Sequence, residues 1–591
     1  MTPAPLSRAG DPETGICVAL FLTALFVIIA VSSPALLMND EWTTVNQVHQ
    51  IDIGHQVATN EGKYGTFANG TPAPYFAHFN NILRYSVALP LASMPAMKAV
   101  DLFGSQFRLA VVLLWALLPF FIALVISRWF PEYAEVRKIR ITLMGAGISL
   151  LLFAANLLLY TPFVYAASDA PVEVAAVVFT THLFFALTVV MIYLIARRIF
   201  TDRWMAVFAA LACTACSTYL LWGGTAKDHM ATVAVFAFVL WFLVRYFQSR
   251  RYRDAACGFF SIGILTWIRP EVGLSAFVCL GLLFIMTTLL SVRKKEDTLR
   301  SGMKSISAIL FTAVGAIPFF VNNLLISGNP LVPPLLLERK IRYGSTSVII
   351  APASPVASTG SHVVTTNPLI VSSDFAATLK TYLFSVSPNP PADLFGILFS
   401  PQNGSIGFFI IVPVALLGLV LLPFILRRKE GAECMVTKDR DIVALLLVAA
   451  FSVLIAYLYN LHNVNAGSGI WPDIRYLSPA YLTVTLLGLV VLRKTALLAD
   501  PRRLVMNTCF MGILLAAVLG IVTLVLLPSA EVNVPGMYRF FGILVPVEVL
   551  VIAALTLILP EKGSMANLLS EYALPIMLLT VLTLQILILI V

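Results

Sequence analysis

Long apolar runs separated by short polar connections occupy most of the chain. About twenty apolar residues wound as a helix cross roughly 30 Å of hydrocarbon. Runs of that kind fall at 15–38, 107–127, 141–160, 174–198, 204–222, 230–248, 255–268, 272–292, 305–326, 405–426, 442–459, 478–492, 504–527, 541–559 and 572–591. The pattern predicts an all-α polytopic membrane protein with about fifteen transmembrane helices, within a range of 12–15. The first run is too long for a signal-peptide core and many more follow it, so it is read as a retained helix.

Two connections are too long to be simple turns. The first, 39–106, carries few charges and predicts two helices lying on the membrane, over 41–58 and 75–103. Gly62, Gly65, Gly70, Pro72 and Pro74 turn the chain between them. The second, 327–404, holds a Ser/Thr/Pro-rich stretch over 345–373 and then a short amphipathic piece over 375–384. A lid over an outer cavity and a linker without a role are both open for it. The chain then divides into an N-terminal segment 1–14, a transmembrane module over 15–292 that includes the first loop, and a second module over 293–591 that includes the other.

Composition agrees with this class. With 591 residues, 59% hydrophobic and only 12% charged, and a mean hydropathy of +0.90, the chain is no ordinary soluble globule. A net charge of +9 raises the question of nucleic acid, and its distribution answers it. Most of the 39 lysines and arginines fall in alternate connections, at 128–140, 197–203, 245–253, 293–304, 427–440 and 493–503. By the positive-inside rule these are cytoplasmic, which places the N-terminus inside and both long loops outside, in a plasma membrane. The excess charge is a topology signal, with membrane lipids as the surroundings and no nucleic-acid partner.

The seven cysteines supply no external disulfide framework, since this topology puts six in spans and Cys434 in an inner loop. Cys213 and Cys216 form a CxxC inside an apolar run, without the histidine or acidic neighbours of a metal site.

Ionisable residues collect instead in the outer connections. Asp40 and Glu41 follow the first span directly, beside Trp42; Asp169 and Glu173 precede the fourth. Lys227, Asp228 and His229 form one later group, Arg269 and Glu271 another, and Asp473 and Arg475 a third. A carboxylate pair at a membrane boundary either marks a helix end or sits in a half-dry pocket where a raised pKa suits it to take a proton. Taken together, acids and bases on one face suit transfer of a sugar from a polyprenyl-phosphate carrier to an acceptor hydroxyl. The acceptor needs a carboxylate base, and the departing lipid phosphate needs cations. By charge and side, Lys227, His229, Arg269 and Arg475 are the residues for that phosphate. The competing reading is a transporter or flippase of lipid-linked sugars, although neither a midplane acid nor an inverted repeat is evident.

The acidic pair after the first span, the stretch 168–173 (Ser-Asp-Ala-Pro-Val-Glu), Asn322-Asn323 with the following residues to Pro330, and Arg475-Tyr476-Leu477-Ser478-Pro479 together resemble the GT-C glycosyltransferases. Within them the chain is most similar to the branch holding the protein O-mannosyltransferases and the lipid A aminoarabinose transferase. The likeness covers the first seven spans well and the remainder loosely. It implies a GT-C-like bundle and an inverting transferase using a lipid-phosphate sugar on the outer face. It also implies Asp40 as catalytic base with Glu41 as its neighbour, and Asp169 or Glu173 as the second-loop acid. The acceptor is a lipid, glycan or protein. No cofactor is firmly implied; a divalent cation is compatible, and His49, His55 and His78 are the candidates to bind it with Asp40. The chain departs from oligosaccharyltransferases in lacking a WWD motif and a soluble C-terminal domain.

Overall fold

The structure, a computed structural model, describes residues 12–32, 36, 41–54, 86–129, 135–159, 172–295, 298–331, 389–399, 406–427, 440–457, 475–525, 534–559 and 563–590. Among these residues every regular element is helical. Ten helices are long and apolar enough to cross a membrane, and three shorter apolar ones are Arg203–Ala215, Pro413–Arg427 and Ser478–Leu492. With Tyr252–Ile268 and Arg440–Ala456, each of the fifteen apolar runs has helix in it. The chain is an all-α, multi-pass membrane protein.

The centre of the bundle is built from the first module. Helix α1 (Pro12–Val31) leads to the polar helix α2 (Glu41–Asp52) and to α3 (Ala88–Phe103). Helices α4 (Phe107–Trp129) and α5 (Glu135–Leu159) form a pair. Helix α6 (Val172–Phe200) packs against α1, α3, α7 (Arg203–Ala215) and α9 (His229–Ser249). Its buried Phe185, Ile192, Tyr193 and Ile195 join Phe236, Phe259 and Tyr481 in one apolar core. That core continues into the second half through Leu445, Leu446 and Leu489.

Local chemistry sets the helix ends. Asp202 caps α7 by accepting from the Met205 backbone N–H at 2.7 Å, as a short carboxylate at an N-cap does. Pro270 opens α11 (Pro270–Arg293), where its missing N–H costs nothing. Gly328 closes the helix Ile317–Ser327 with φ 72°, a left-handed conformation that glycine adopts without a Cβ clash.

The structure departs from the hydropathy reading in three places. The run 204–222 is two helices, α7 and the short α8 (Tyr219–Gly223). The chain breaks at Ser217, whose hydroxyl donates to Thr214 O and accepts from Tyr219 N. The run 305–326 passes through a 3-10 turn at Ser307–Leu310 and a further break at Ala316 before Pro318. On the membrane-surface helices, α2 ends at Asp52 and α3 starts at Ala88. The remainder of 41–58 and 75–103, at 55–58 and 75–85, and the amphipathic piece 375–384 lie outside the described residues, as does Cys434.

The helices Pro413–Arg427 and Ser478–Leu492 cross at Gly418 and Gly488, where a Cβ on Gly488 would come 2.6 Å from the Val414 carbonyl oxygen. Small residues at such a crossing let two backbones approach without a side chain between them. Gly488→Val is expected to push the helices apart and lower stability by about 1–3 kcal/mol, read as a lower thermal midpoint in detergent. An unchanged midpoint would show the crossing to be adaptable.

Candidate active site

Gln248 at the end of α9 donates to Arg198 O at the end of α6, and Arg269 before α11 binds Asp228 before α9, so the N-termini of α6, α9 and α11 share one end of the bundle. That end carries Glu173, His229 and Glu271; the other carries Arg197, Arg245 and Arg293. At 1.5 Å per residue the 21 residues of α9 separate the two ends by about 30 Å. The basic end is knitted by ion pairs. Glu13 meets Arg197 at 2.9 Å and Arg203 at 3.1 Å, Arg245 meets Asp254 at 3.0 Å, and Arg250 meets Asp441 at 3.2 Å. The opposite end is the candidate site.

Its foundation is the turn 223–228, which connects α8 to α9 and is held from three sides. Thr181 on α6 donates its hydroxyl to Gly223 O at 2.8 Å. The Glu41 side chain, fully buried at the start of α2, accepts from Ala226 N at 2.7 Å. Asp228 accepts two hydrogen bonds from Arg269, at 2.8 and 2.6 Å, in the parallel fork that guanidinium and carboxylate geometry favours. Between the last two tethers stands Lys227, 3% exposed.

From Asp228 the contacts close into a ring. Arg269 also lies 3.5 Å from Glu271, which accepts from the Tyr457 hydroxyl at 3.5 Å. Tyr457 packs against Tyr476 at a tilt, with ring centroids 5.0 Å apart, and Tyr476 meets His229 edge-on at 6.4 Å. His229 itself lies over the buried Trp222 at 4.4 Å. Burial opposes the positive charge of Arg269, but the carboxylates beside it, Asp228 first and then Glu271, outweigh it and hold the group well above its ordinary pKa. Glu173, 1% exposed, pairs with His49 Nδ1 on α2 at 3.0 Å. Helix α2 is therefore bound at one end to the 223–228 turn and near the other to the start of α6.

Six of the eight residues singled out in the sequence fall in the described part of this end. Glu41, Lys227, His229 and Arg269 come together around one turn; Glu173 joins through His49 and α2; Arg475 opens the turn Arg475–Leu477 beside Tyr476. Asp40 and Asp169 lie outside the described residues, as do His55 and His78. Among the described residues no group of three or more His, Cys, Asp and Glu side chains is placed to hold a metal ion. His182 is buried in α6 and bonds to Ser32 Oγ at 2.6 Å.

Sequence reasoning set Asp228, Glu271, Trp222, Tyr457 and Tyr476 aside or passed over them. The signal for Asp228 was its place between Lys227 and His229. Trp222 and Tyr457 carried none, because their partners are remote in sequence, and Tyr476 stood out only as a member of the stretch 475–479.

A polytopic helical protein with a buried ionic network at one end of its bundle is the class these features define. Within it, residues 170–321 match the family model "Dolichyl-phosphate-mannose-protein mannosyltransferase". That stretch contains Glu173, Lys227, Asp228, His229, Arg269 and Glu271, so the likeness to that mannosyltransferase family covers the residues around the 223–228 turn. Among solved structures, ArnT from Cupriavidus metallidurans bound to undecaprenyl phosphate is similar at 13% identity and a TM-score of 0.42, covering 97% of this chain and 76% of that one. The apo state of the same protein gives 15% identity and a TM-score of 0.36 over the same shares. No curated protein matches the chain.

Proposed function

We propose that the protein is a membrane glycosyltransferase that moves a sugar from a polyprenyl-phosphate carrier to an acceptor hydroxyl, with inversion, on the outer face of the plasma membrane. The observation that carries this reading is the coincidence of the family-matched stretch 170–321 with the ionic network at one end of the bundle.

The parts divide by charge state. Asp40 is the base that takes the acceptor proton. Glu41, one residue on, is committed to the Ala226 N–H, so it braces the turn that carries Lys227. Glu173 or Asp169 supplies the second acid. Arg269 faces two carboxylates and brings little spare positive charge to a phosphate. The developing charge on the leaving lipid phosphate is assigned to Lys227, buried on the same turn, with His229 and Arg475. Burial strengthens such an interaction because the local dielectric is low.

Lys227→Ala tests the assignment in proteoliposomes supplied with polyprenyl-phosphate mannose. Donor use is expected to weaken by about 2–5 kcal/mol if a buried charge contact is lost, with a smaller change in acceptor KM. Unchanged donor kinetics would reject Lys227 as a phosphate ligand. Movement of the lipid across the bilayer without release of free polyprenyl phosphate, in the wild type, would favour a flippase.

A further inference from the structure

Helix α2 has an apolar side and a polar side, and both are buried. Val45 and Val48 enter the cluster formed with Leu89, Met97, Val174 and Val177. At 100° per residue, Thr43, Gln47 and Gln50 share the other side, and each is 1% exposed. Gln50 donates to Asn46 Oδ1 at 3.3 Å. Gln47 differs from its neighbours, because neither its amide nitrogen nor its amide oxygen has a hydrogen-bond partner. Other buried amides among the described residues have at least one: Asn323 donates to Pro330 O and Gln585 to Ala215 O. An orphaned amide cannot shed its cost by changing protonation state, and a leucine would fill the same space without that cost.

We propose that Gln47 is a carbohydrate-binding residue of this site, its oxygen accepting from one hydroxyl of the donor's sugar and its N–H donating to the adjacent one. The proposal rests on the glycosyltransferase reading. A pair of neighbouring hydroxyls offers one donor and one acceptor at the spacing of an amide's two ends, which is the complement Gln47 lacks. Helix α2 holds Gln47 at this end of the bundle: it lies about 9 Å along the helix from Glu41 by rise and about 120° around it, and Glu41 accepts from the backbone N–H of the residue preceding Lys227.

The test compares binding of polyprenyl-phosphate mannose and of sugar-free polyprenyl phosphate to the full chain in nanodiscs. The wild type is expected to prefer the sugar-bearing lipid. Gln47→Leu is expected to cut that preference about tenfold or more, leave affinity for the sugar-free lipid unchanged, and give a lipid-free thermal midpoint no lower than the wild type's. Gln47→Glu keeps an acceptor and should retain part of the preference. A folded Gln47→Leu protein with the full preference would overturn the proposal, as would equal loss for both lipids. An effect confined to acceptor KM would also overturn it and move Gln47 to the acceptor. Binding of neither lipid by the wild type would overturn the glycosyltransferase reading as well.

Discussion

Asp40→Asn is expected to lower sugar transfer by about 10²–10⁴-fold, the range a positioned general base contributes, while leaving donor binding and the thermal midpoint close to those of the wild type. The substitution keeps the side chain's shape and removes its basicity. The reason to single out Asp40 is the use already made of its neighbour. Glu41 is fully buried and accepts from Ala226 N, so protonating it at each turnover would weaken the tether that holds the Lys227 turn. Glu41→Gln retains an oxygen for that N–H, and should therefore cost turnover much less than Asp40→Asn. Both variants are measured in proteoliposomes with polyprenyl-phosphate mannose at saturating donor. Near-normal turnover in Asp40→Asn would sink the base assignment, and a larger loss in Glu41→Gln would transfer it to Glu41.

The contrast between these two residues shows what was legible in the chain. A hydropathy window registers that Asp40 and Glu41 end an apolar run, since carboxylates are costly in lipid. It cannot register that one of them is spoken for, because the Ala226 N–H that claims Glu41 is 185 positions away. The pairing of Asp228 with Arg269 spans 41 positions. It arises where α9 begins and α10 (Tyr252–Ile268) ends, so it is a consequence of packing α9 against α10. Helix positions were readable because each span must satisfy its own backbone hydrogen bonds in lipid. The breaks at Ser217 and Ala316 were not, because the pieces on either side stay apolar and only local hydrogen bonding distinguishes a broken run from a continuous one. Helix α2 was readable as helix, but its polar residues suggested exposure. Burial of Thr43, Asn46, Gln47 and Gln50 depends on what α2 packs against, and no local pattern carries that.

Arg269→Met is expected to destabilise the lipid-free protein by about 3–5 kcal/mol, the cost of breaking a buried ion pair by removing one partner. Asp228 is 16% exposed and Glu271 14%, and both would lose their cation. The loss should fall well below that value in the triple variant Arg269→Met, Asp228→Asn, Glu271→Gln, because the penalty comes from stranded carboxylates more than from the missing guanidinium. Arg269→Lys keeps the charge but cannot reproduce the two-pronged contact to Asp228, so it should lie between the wild type and Arg269→Met. The readout is the thermal midpoint in detergent without lipid, with donor binding measured separately. A residue whose work was to bind the donor phosphate would behave in the opposite way. Its loss would leave the lipid-free midpoint alone and weaken donor binding, and the triple variant would rescue nothing. An unchanged midpoint in Arg269→Met would therefore remove the bracing role assigned to the Asp228–Arg269–Glu271 network and return Arg269 to the phosphate.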